Sequence, residues 1–370
     1  MKKCSTSKNG IVGAVFLCII MVIFIFSFVC NWKNIGSGIL QTGESINRED
    51  SISDIAKTII SQFEMSFSSN IIWKEEMANV GSNLFYLFTG DIDSIQVSLG
   101  KDNWLFYKSV TDGNLELDYS GESSYSDETM REIAANLDEM NRYFAEKGVE
   151  FLVLIPPNKS QIYSDKVTEW ERISDFSRTD RLVEYLKDNT EVTVLHPKEE
   201  IRRYADSYDL YYKYDSHWNT LGAYIAYENL LENLGYEIEN LEELQIENKD
   251  LPNYDVVADD LARMLGMRWK FSDEQIYSVE GYRYPLEADD EKIVHQKNEN
   301  SVYQEKVMMI GDSYGASIVP YFSEDFKEFY FCHRNSYTKE LMEEFTPDIV
   351  ILEYVERYSG RMGKFKLNLK

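Results

Sequence analysis

The segment Val307-Met308-Met309-Ile310-Gly311-Asp312-Ser313-Tyr314-Gly315 decides how the rest of the chain is read. Four apolar residues run into a glycine, an acid and a serine, and a second, mostly apolar segment follows over residues 316–319. This pattern predicts a buried strand, a sharp turn and a helix. It places Ser313 at the open end of a strand, where the first N–H groups of a helix have no internal partner. Such groups can bond an oxyanion forming beside a serine hydroxyl. Gly311 and Gly315 permit a tight backbone and a close approach. The same pentapeptide also fits a plain turn in which Ser313 only caps a helix.

Outward from this turn the chain alternates. Buried strands are expected at residues 151–155, 192–195, 307–310, 328–331 and 349–352. Helices are expected from Ser126 to Gly148, over residues 178–187 and 198–205, from Asn219 to Gly235, and between residues 336 and 345. The first is the clearest. Met130, Ile133, Ala134, Leu137, Met140 and Phe144 recur at helical spacing, Ser126 caps the start and Gly148 ends it. Apolar strands alternating with amphipathic helices predict an α/β fold, a parallel sheet with helices on both faces. Residues 94–107 read as one or two strands, with a turn at Asp102-Asn103 and Trp104 and Phe106 on one buried face. Residues 236–300 are acidic and less regular. They read as an insertion with one helix carrying Leu261, Met264 and Leu265, packed beside the sheet.

Formal charge is −26, which argues against nucleic-acid binding, because phosphate contacts need basic patches. With 44% hydrophobic and 14% aromatic residues, disorder is not expected. Residues 11–30 carry no charge and are long enough to cross a hydrocarbon core as one helix. Lys2, Lys3 and Lys8 precede the span and only Lys33 follows closely. The expected arrangement is a cytoplasmic tail at 1–10, a transmembrane anchor at 11–30, a stalk and entry segment at 31–93 with a helix near 52–63, and one outside domain at 94–370. A cleaved signal peptide competes, but its apolar core is usually shorter and no clear A-x-A site follows. Lipidation at Cys30 also competes, with Val29 a poor preceding residue. Beyond the span only Cys332 remains, so neither an internal disulfide nor a cysteine-rich metal site is expected.

In open parallel sheets, ligands bind outside the carboxyl ends of the strands. There the expected strands deliver Lys159, His196, Ser313, His333 and Arg334, and Glu353, Tyr354, Glu356 and Arg357. A serine nucleophile needs a base, and the chain has four histidines. His295 lies in the polar insertion, His196 precedes Pro197, and His333 has no acid at useful spacing. His217 lies in Tyr214-Asp215-Ser216-His217-Trp218-Asn219. In extended backbone, Asp215 and His217 leave on one side. Asp215 can then hold the ring's tautomer, while Asn219 caps the next helix. A structural Asp–His pair in a loop is the plainer alternative. A metal phosphoesterase is weaker still, because the chain lacks the Asn-His element and the histidines that reading needs.

Asp215-Ser216-His217-Trp218 followed downstream by Gly311-Asp312-Ser313 resembles the SGNH hydrolase-like domain of alginate O-acetyltransferases of the AlgX and AlgJ type. Asp102-Asn103-Trp104-Leu105-Phe106, Pro156-Pro157-Asn158-Lys159, Asp260-Leu261-Ala262 and the late Glu353, Glu356 and Arg357 fit the same family. The resemblance runs from about Ser94 to Arg357. It implies an SGNH hydrolase-like fold and an extracytoplasmic enzyme that places acetyl groups on polysaccharide hydroxyls. A membrane-bound O-acyltransferase would supply the acetyl. Carried over residue by residue, Ser313 is the nucleophile, His217 the base and Asp215 its orienter. Lys159, Arg334, Tyr354 and Arg357 are candidates for contacting substrate or oxyanion. No cofactor and no metal is expected. The stretch after Arg357 is too short for the carbohydrate-binding module of AlgX, so the resemblance does not extend to which polysaccharide is used. An acetyl esterase with the same triad and a non-catalytic polysaccharide-binding scaffold are the alternatives.

Overall fold

The computed structural model describes residues 21, 22, 25, 29, 30, 74–250, 259–272, 275–282 and 293–367. The apolar span at 11–30 lies largely outside them, and the helix expected near 52–63 wholly so. No helix among the described residues is long and apolar enough to cross a membrane. The chain divides into two units, Met1–Gly81 and Ser82–Lys370, and the second holds everything that follows.

Ten strands are described: β1 (Val97–Leu99), β2 (Leu105–Tyr107), β3 (Glu150–Leu154), β4 (Thr193–Leu195), β5 (Ile246–Asp250), β6 (Gln275–Val279), β7 (Ile293–Lys297), β8 (Tyr303–Gly311), β9 (Phe326–His333) and β10 (Ile349–Glu353). Six form the main sheet, in the order β4-β3-β10-β8-β9-β7. The five expected strands all pair in parallel. The expectation of a purely parallel sheet needs correcting, because β7 pairs with β9 antiparallel and closes one edge. Its reason is the shallow burial of β7. Only Val294 of that strand is buried, so it has no apolar run to announce it.

Side chains alternate between the faces with the two-residue period of a strand. Val307 and Met309 of β8, Ile349 and Ile351 of β10, and Leu152 and Leu154 of β3 enter one core cluster. Met308, Ile310, Val350, Leu352, Phe151 and Val153 enter the other. The first face is covered by the helix Thr220–Asn233, the second by Asp127–Ala145 and Arg178–Asn189. The helix caps are those the sequence predicts. Ser126 accepts from the Thr129 N–H, and Asn219 accepts from the N–H groups of Leu221 and Gly222.

β1 and β2 form a separate hairpin, turned through Asp102 and Asn103 in the left-handed region. Trp104 and Phe106 are buried as expected. The 236–300 stretch is more regular than its sequence suggests. β5 and β6, with a helix between them in sequence, form a second separate antiparallel pair. Its helix, Asp260–Met264, packs on β1 and β2 rather than against the main sheet. There Leu261, Ala262 and Leu265 share a cluster with Val97, Leu105, Tyr214 and Phe271. Met264, expected on its apolar face, is exposed.

Candidate active site

β8 ends at Gly311, and a short helix, Ser313–Ala316, starts immediately. Asp312 caps that helix by accepting the Tyr314 N–H through Oδ1 at 3.0 Å. Glu353, the last residue of neighbouring β10, lies beneath the turn. Its Oε2 accepts the N–H of Asp312 at 2.6 Å and that of Gly315 at 3.3 Å. Neither glycine of the turn has a positive φ. They are needed for space instead: a Cβ at Gly311 would meet Glu353 Oε2 at 2.5 Å, and one at Gly315 would meet it at 3.0 Å. The turn leaves Ser313 exposed at its apex. Ser313 is the first residue of its helix, so its N–H has no intrahelical partner.

His217 Nε2 lies 2.7 Å from Ser313 Oγ, and His217 Nδ1 lies 2.6 Å from Asp215 Oδ1. Asp215 Oδ1 also accepts the His217 N–H at 2.9 Å, which fixes the two-residue loop. Asp215, His217 and Ser313, 96 residues apart across the sequence from base to serine, thus form one hydrogen-bonded line. Burial pulls the His217 ring down, but the Asp215 carboxylate outweighs it and raises the ring above its ordinary 6.5. Burial pushes the Asp215 carboxyl up, yet the imidazole and two backbone N–H donors leave it below its usual value. Asp215 is therefore the charged partner that holds the proton on Nδ1 and leaves Nε2 free to accept one.

Asp260 stands out in the sequence only as part of Asp260-Leu261-Ala262, not as a site residue. The Asp260 N–H donates to Asp215 Oδ2 at 2.9 Å, so both oxygens of that carboxylate are bonded. Asp260 in turn accepts the Ser216 N–H at 2.8 Å and the Ser216 hydroxyl at 2.6 Å. Burial first, and then the Asp215 charge, push the Asp260 carboxyl up. The signal available in the sequence was its place at the start of a helix with an apolar face. What it would bond was not legible.

Two reciprocal bonds join the two halves of the site. The Trp218 indole N–H donates to the Tyr314 carbonyl at 3.1 Å, and the Tyr314 hydroxyl donates to the Ser216 carbonyl at 2.5 Å. Both side chains are fully buried. The Tyr314 ring also lies 4.9 Å from the His217 ring, centroid to centroid.

Of the four other candidates, Lys159 and Arg334 bond the backbone and side chains that carry the site. Lys159 is buried, and its ammonium donates to the carbonyls of Leu105 (2.6 Å), Lys213 (2.9 Å) and Asp215 (3.1 Å). Arg334 donates to Asp312 Oδ2 and to the Glu353 carbonyl, both at 2.9 Å. Tyr354 belongs to the opposite core cluster, with the Arg334 guanidinium 3.9 Å above its ring. Arg357 stands 5.4 Å from the Tyr314 ring centre. Of the other histidines, His196 bonds the Ile155 carbonyl, His295 bonds Glu328, and His333 takes the Asn335 N–H.

Ligand atoms of Asp215, His217 and Asp260 lie within 4.8 Å of one another. A cation there would have to displace the Nδ1 proton and break the bond that orients the base, so the donor set does not fit a resident metal. The hollow behind Tyr314, lined by Tyr107, Asn158, Lys159, Ser216 and Arg357, has a volume of about 10 Å³. That is room for one water at most.

The family model described as the SGNH hydrolase-like domain of acetyltransferase AlgX matches residues 97–328, more than half of the chain. The chain belongs to this family. The match takes in Asp215, His217, Asp260 and Ser313 and ends within β9. No curated protein matches the chain. Among solved structures, Bacillus cereus PatB1 is 16% identical, covering 72% of this chain and 98% of its own, with a TM-score of 0.51. The same protein with a sulfonyl adduct is 17% identical, covering 73% and 99%, with a TM-score of 0.52. A DHHW family protein from Eubacterium siraeum is 14% identical, covering 74% and 99%, at 0.49. At these identities the likeness to PatB1 is one of fold. The AlgX-family chain has Ser216 between Asp215 and His217, and that serine carries the bonds to Asp260.

Proposed function

We propose that this acetyltransferase-family chain moves acetyl groups to polysaccharide hydroxyls through an acetyl-serine intermediate. The observation that carries the proposal is the 2.7 Å approach of His217 Nε2 to Ser313 Oγ, with Asp215 on the other ring nitrogen. In the first step Ser313 Oγ attacks the acetyl carbonyl while its proton passes to Nε2. The bond from the acetyl carbon to the donor oxygen breaks, and that oxygen takes the proton from His217. In the second step a sugar hydroxyl attacks the acetyl-serine and gives its proton to Nε2. The bond to Oγ breaks, and Ser313 recovers the proton. The Ser313 N–H, unclaimed by the turn, faces the oxyanion of each tetrahedral intermediate.

The work is done outside the cytoplasmic membrane, with residues 11–30 as a single-pass anchor and the N-terminus inside. Acetyl-CoA is not expected there, so a membrane-bound O-acyltransferase supplies the acetyl. Incubation with an activated acetyl ester, with and without oligosaccharide, tests the proposal. Acetylated sugar is the expected product. Free acetate alone at every acceptor concentration makes the chain an esterase. Absence of an acetyl-enzyme in the wild-type protein makes it a scaffold.

A further inference from the structure

Glu353 is fully buried beneath the turn that presents Ser313. Its Oε2 takes two of the turn's N–H groups, and Gly311 and Gly315 leave the space it fills. Its Oε1 is buried with no donor among the described residues. The neighbouring charges are Asp312, paired with Arg334 at 2.9 Å, and Arg357, a second cation that acts on Asp312. Ionised, Glu353 would set a second carboxylate against Asp312 and bury an oxygen without a donor, both costly in the interior. Protonated, it carries a donor for the Asp312 side chain, with which it interacts, while Oε2 keeps both N–H bonds.

We propose that Glu353 is a positioning residue that works as a neutral acid, holding the turn from below without placing negative charge under Ser313. Burial first, and then the Asp312 carboxylate, push its carboxyl well above the ordinary range, in accord with the geometry. Neutrality matters for the reaction, because an anion under the turn would oppose the oxyanion that forms beside Ser313. Apolar burial alone would be served by leucine. The two N–H bonds and the glycine-lined space ask for a planar group with an acceptor on one side and a donor on the other.

The test compares Glu353→Gln with Glu353→Ala in the full chain. Glutamine offers the same acceptor and a permanent donor, with no charge at any pH. The inference rests on Ser313 as nucleophile, so Ser313→Ala is run beside them. Acetyl-enzyme formation from an activated ester is measured, with kcat and KM separated. Glu353→Ala is expected to lower kcat on the order of 10²-fold with KM little changed, as a misplaced nucleophile does. Glu353→Gln is expected to recover most of that loss. A folded Glu353→Gln protein with kcat lowered on the order of 10²-fold from wild type would overturn the neutral acid. This arm decides even where the alanine variant does not fold. A fully active Glu353→Ala protein would overturn positioning. An active Ser313→Ala protein would instead sink the proposed function, which separates the two failures.

Discussion

At the scale of single residues, the site is a relay in which each group is fixed by the next. Asp260 holds Asp215, Asp215 holds the His217 tautomer, and His217 faces Ser313. Ser313→Ala is expected to abolish acetyl-enzyme formation. His217→Ala should cost a similar factor, on the order of 10⁴–10⁶, because the pair acts as a unit. Asp215→Asn should fold and lose roughly 10⁴-fold through the wrong tautomer. Burst kinetics on an activated ester reads all three, and an unimpaired variant at any of these positions removes that residue from the relay. The pH dependence has a definite sign. His217 must be neutral to accept a proton, and Asp215 raises its pKa above 6.5, so kcat/KM should fall as pH drops through a value above 6.5. For stability, the raised His217 value contributes below its unfolded pKa and is lost as pH rises through the folded one. The depressed Asp215 value contributes above its unfolded pKa and is lost as pH falls through the folded one. His217 is faced by Asp215, Asp260 and Arg357, and Asp260 raises its pKa. Asp260→Asn should therefore shift the acid limb of the rate profile to lower pH. A limb that stayed in place or moved up would show that Asp260 does not act on the base electrostatically.

Between elements, the question is what keeps a loop before one helix in register with a turn before another. The Trp218–Tyr314 and Tyr314–Ser216 bonds do this directly. Tyr314→Phe removes one of them and leaves the ring in place. It should cost about 1–2 kcal/mol of stability, measured by denaturant unfolding, for the buried bond. It should also lower kcat on the order of 10-fold as His217 drifts from Ser313. An unchanged kcat would mean that packing alone sets the distance. The parallel strands, the capped helices and three of the four relay residues, Asp215, His217 and Ser313, were legible because each has a local cause: an apolar run, a capping side chain, an Asp-x-His spacing. The clamp was not legible, because it joins the hydroxyl of Tyr314 to a carbonyl 98 residues away. Lys159 follows β3 and opens the short helix Lys159–Ile162, but its burial and its three carbonyl partners depend on how the β1–β2 hairpin packs. β7 was missed for a different reason. A short edge strand, half-exposed and polar, has no periodicity strong enough to separate it from a loop.

For the whole molecule, the open questions concern where the site works. Residues 11–30 carry no charge, and a helix of that length spans about 30 Å, the thickness of a hydrocarbon core. The lysines at positions 2, 3 and 8 orient such a helix with its N-terminus in the cytoplasm. Every group of the relay lies in the unit Ser82–Lys370, which would then face outward, where an acetyl donor must be delivered across the membrane. If the span is a permanent anchor, mass measurement of the protein from the membrane fraction should include residues 11–30, and externally added protease should reach the catalytic unit in intact cells. A mature N-terminus after Cys30 would reject the anchor and restore the cleaved-signal alternative. Removing residues 1–30 should leave hydrolysis of a soluble acetyl ester within about twofold of wild type, because no relay residue is lost. On the proposed reading, in which the donor is handed over at the membrane surface, the same truncation should abolish polysaccharide acetylation in the cell. Were the truncated protein to acetylate polysaccharide normally from a secreted form, the donor would have to be soluble. The membrane-bound O-acyltransferase would then have no place in the reaction.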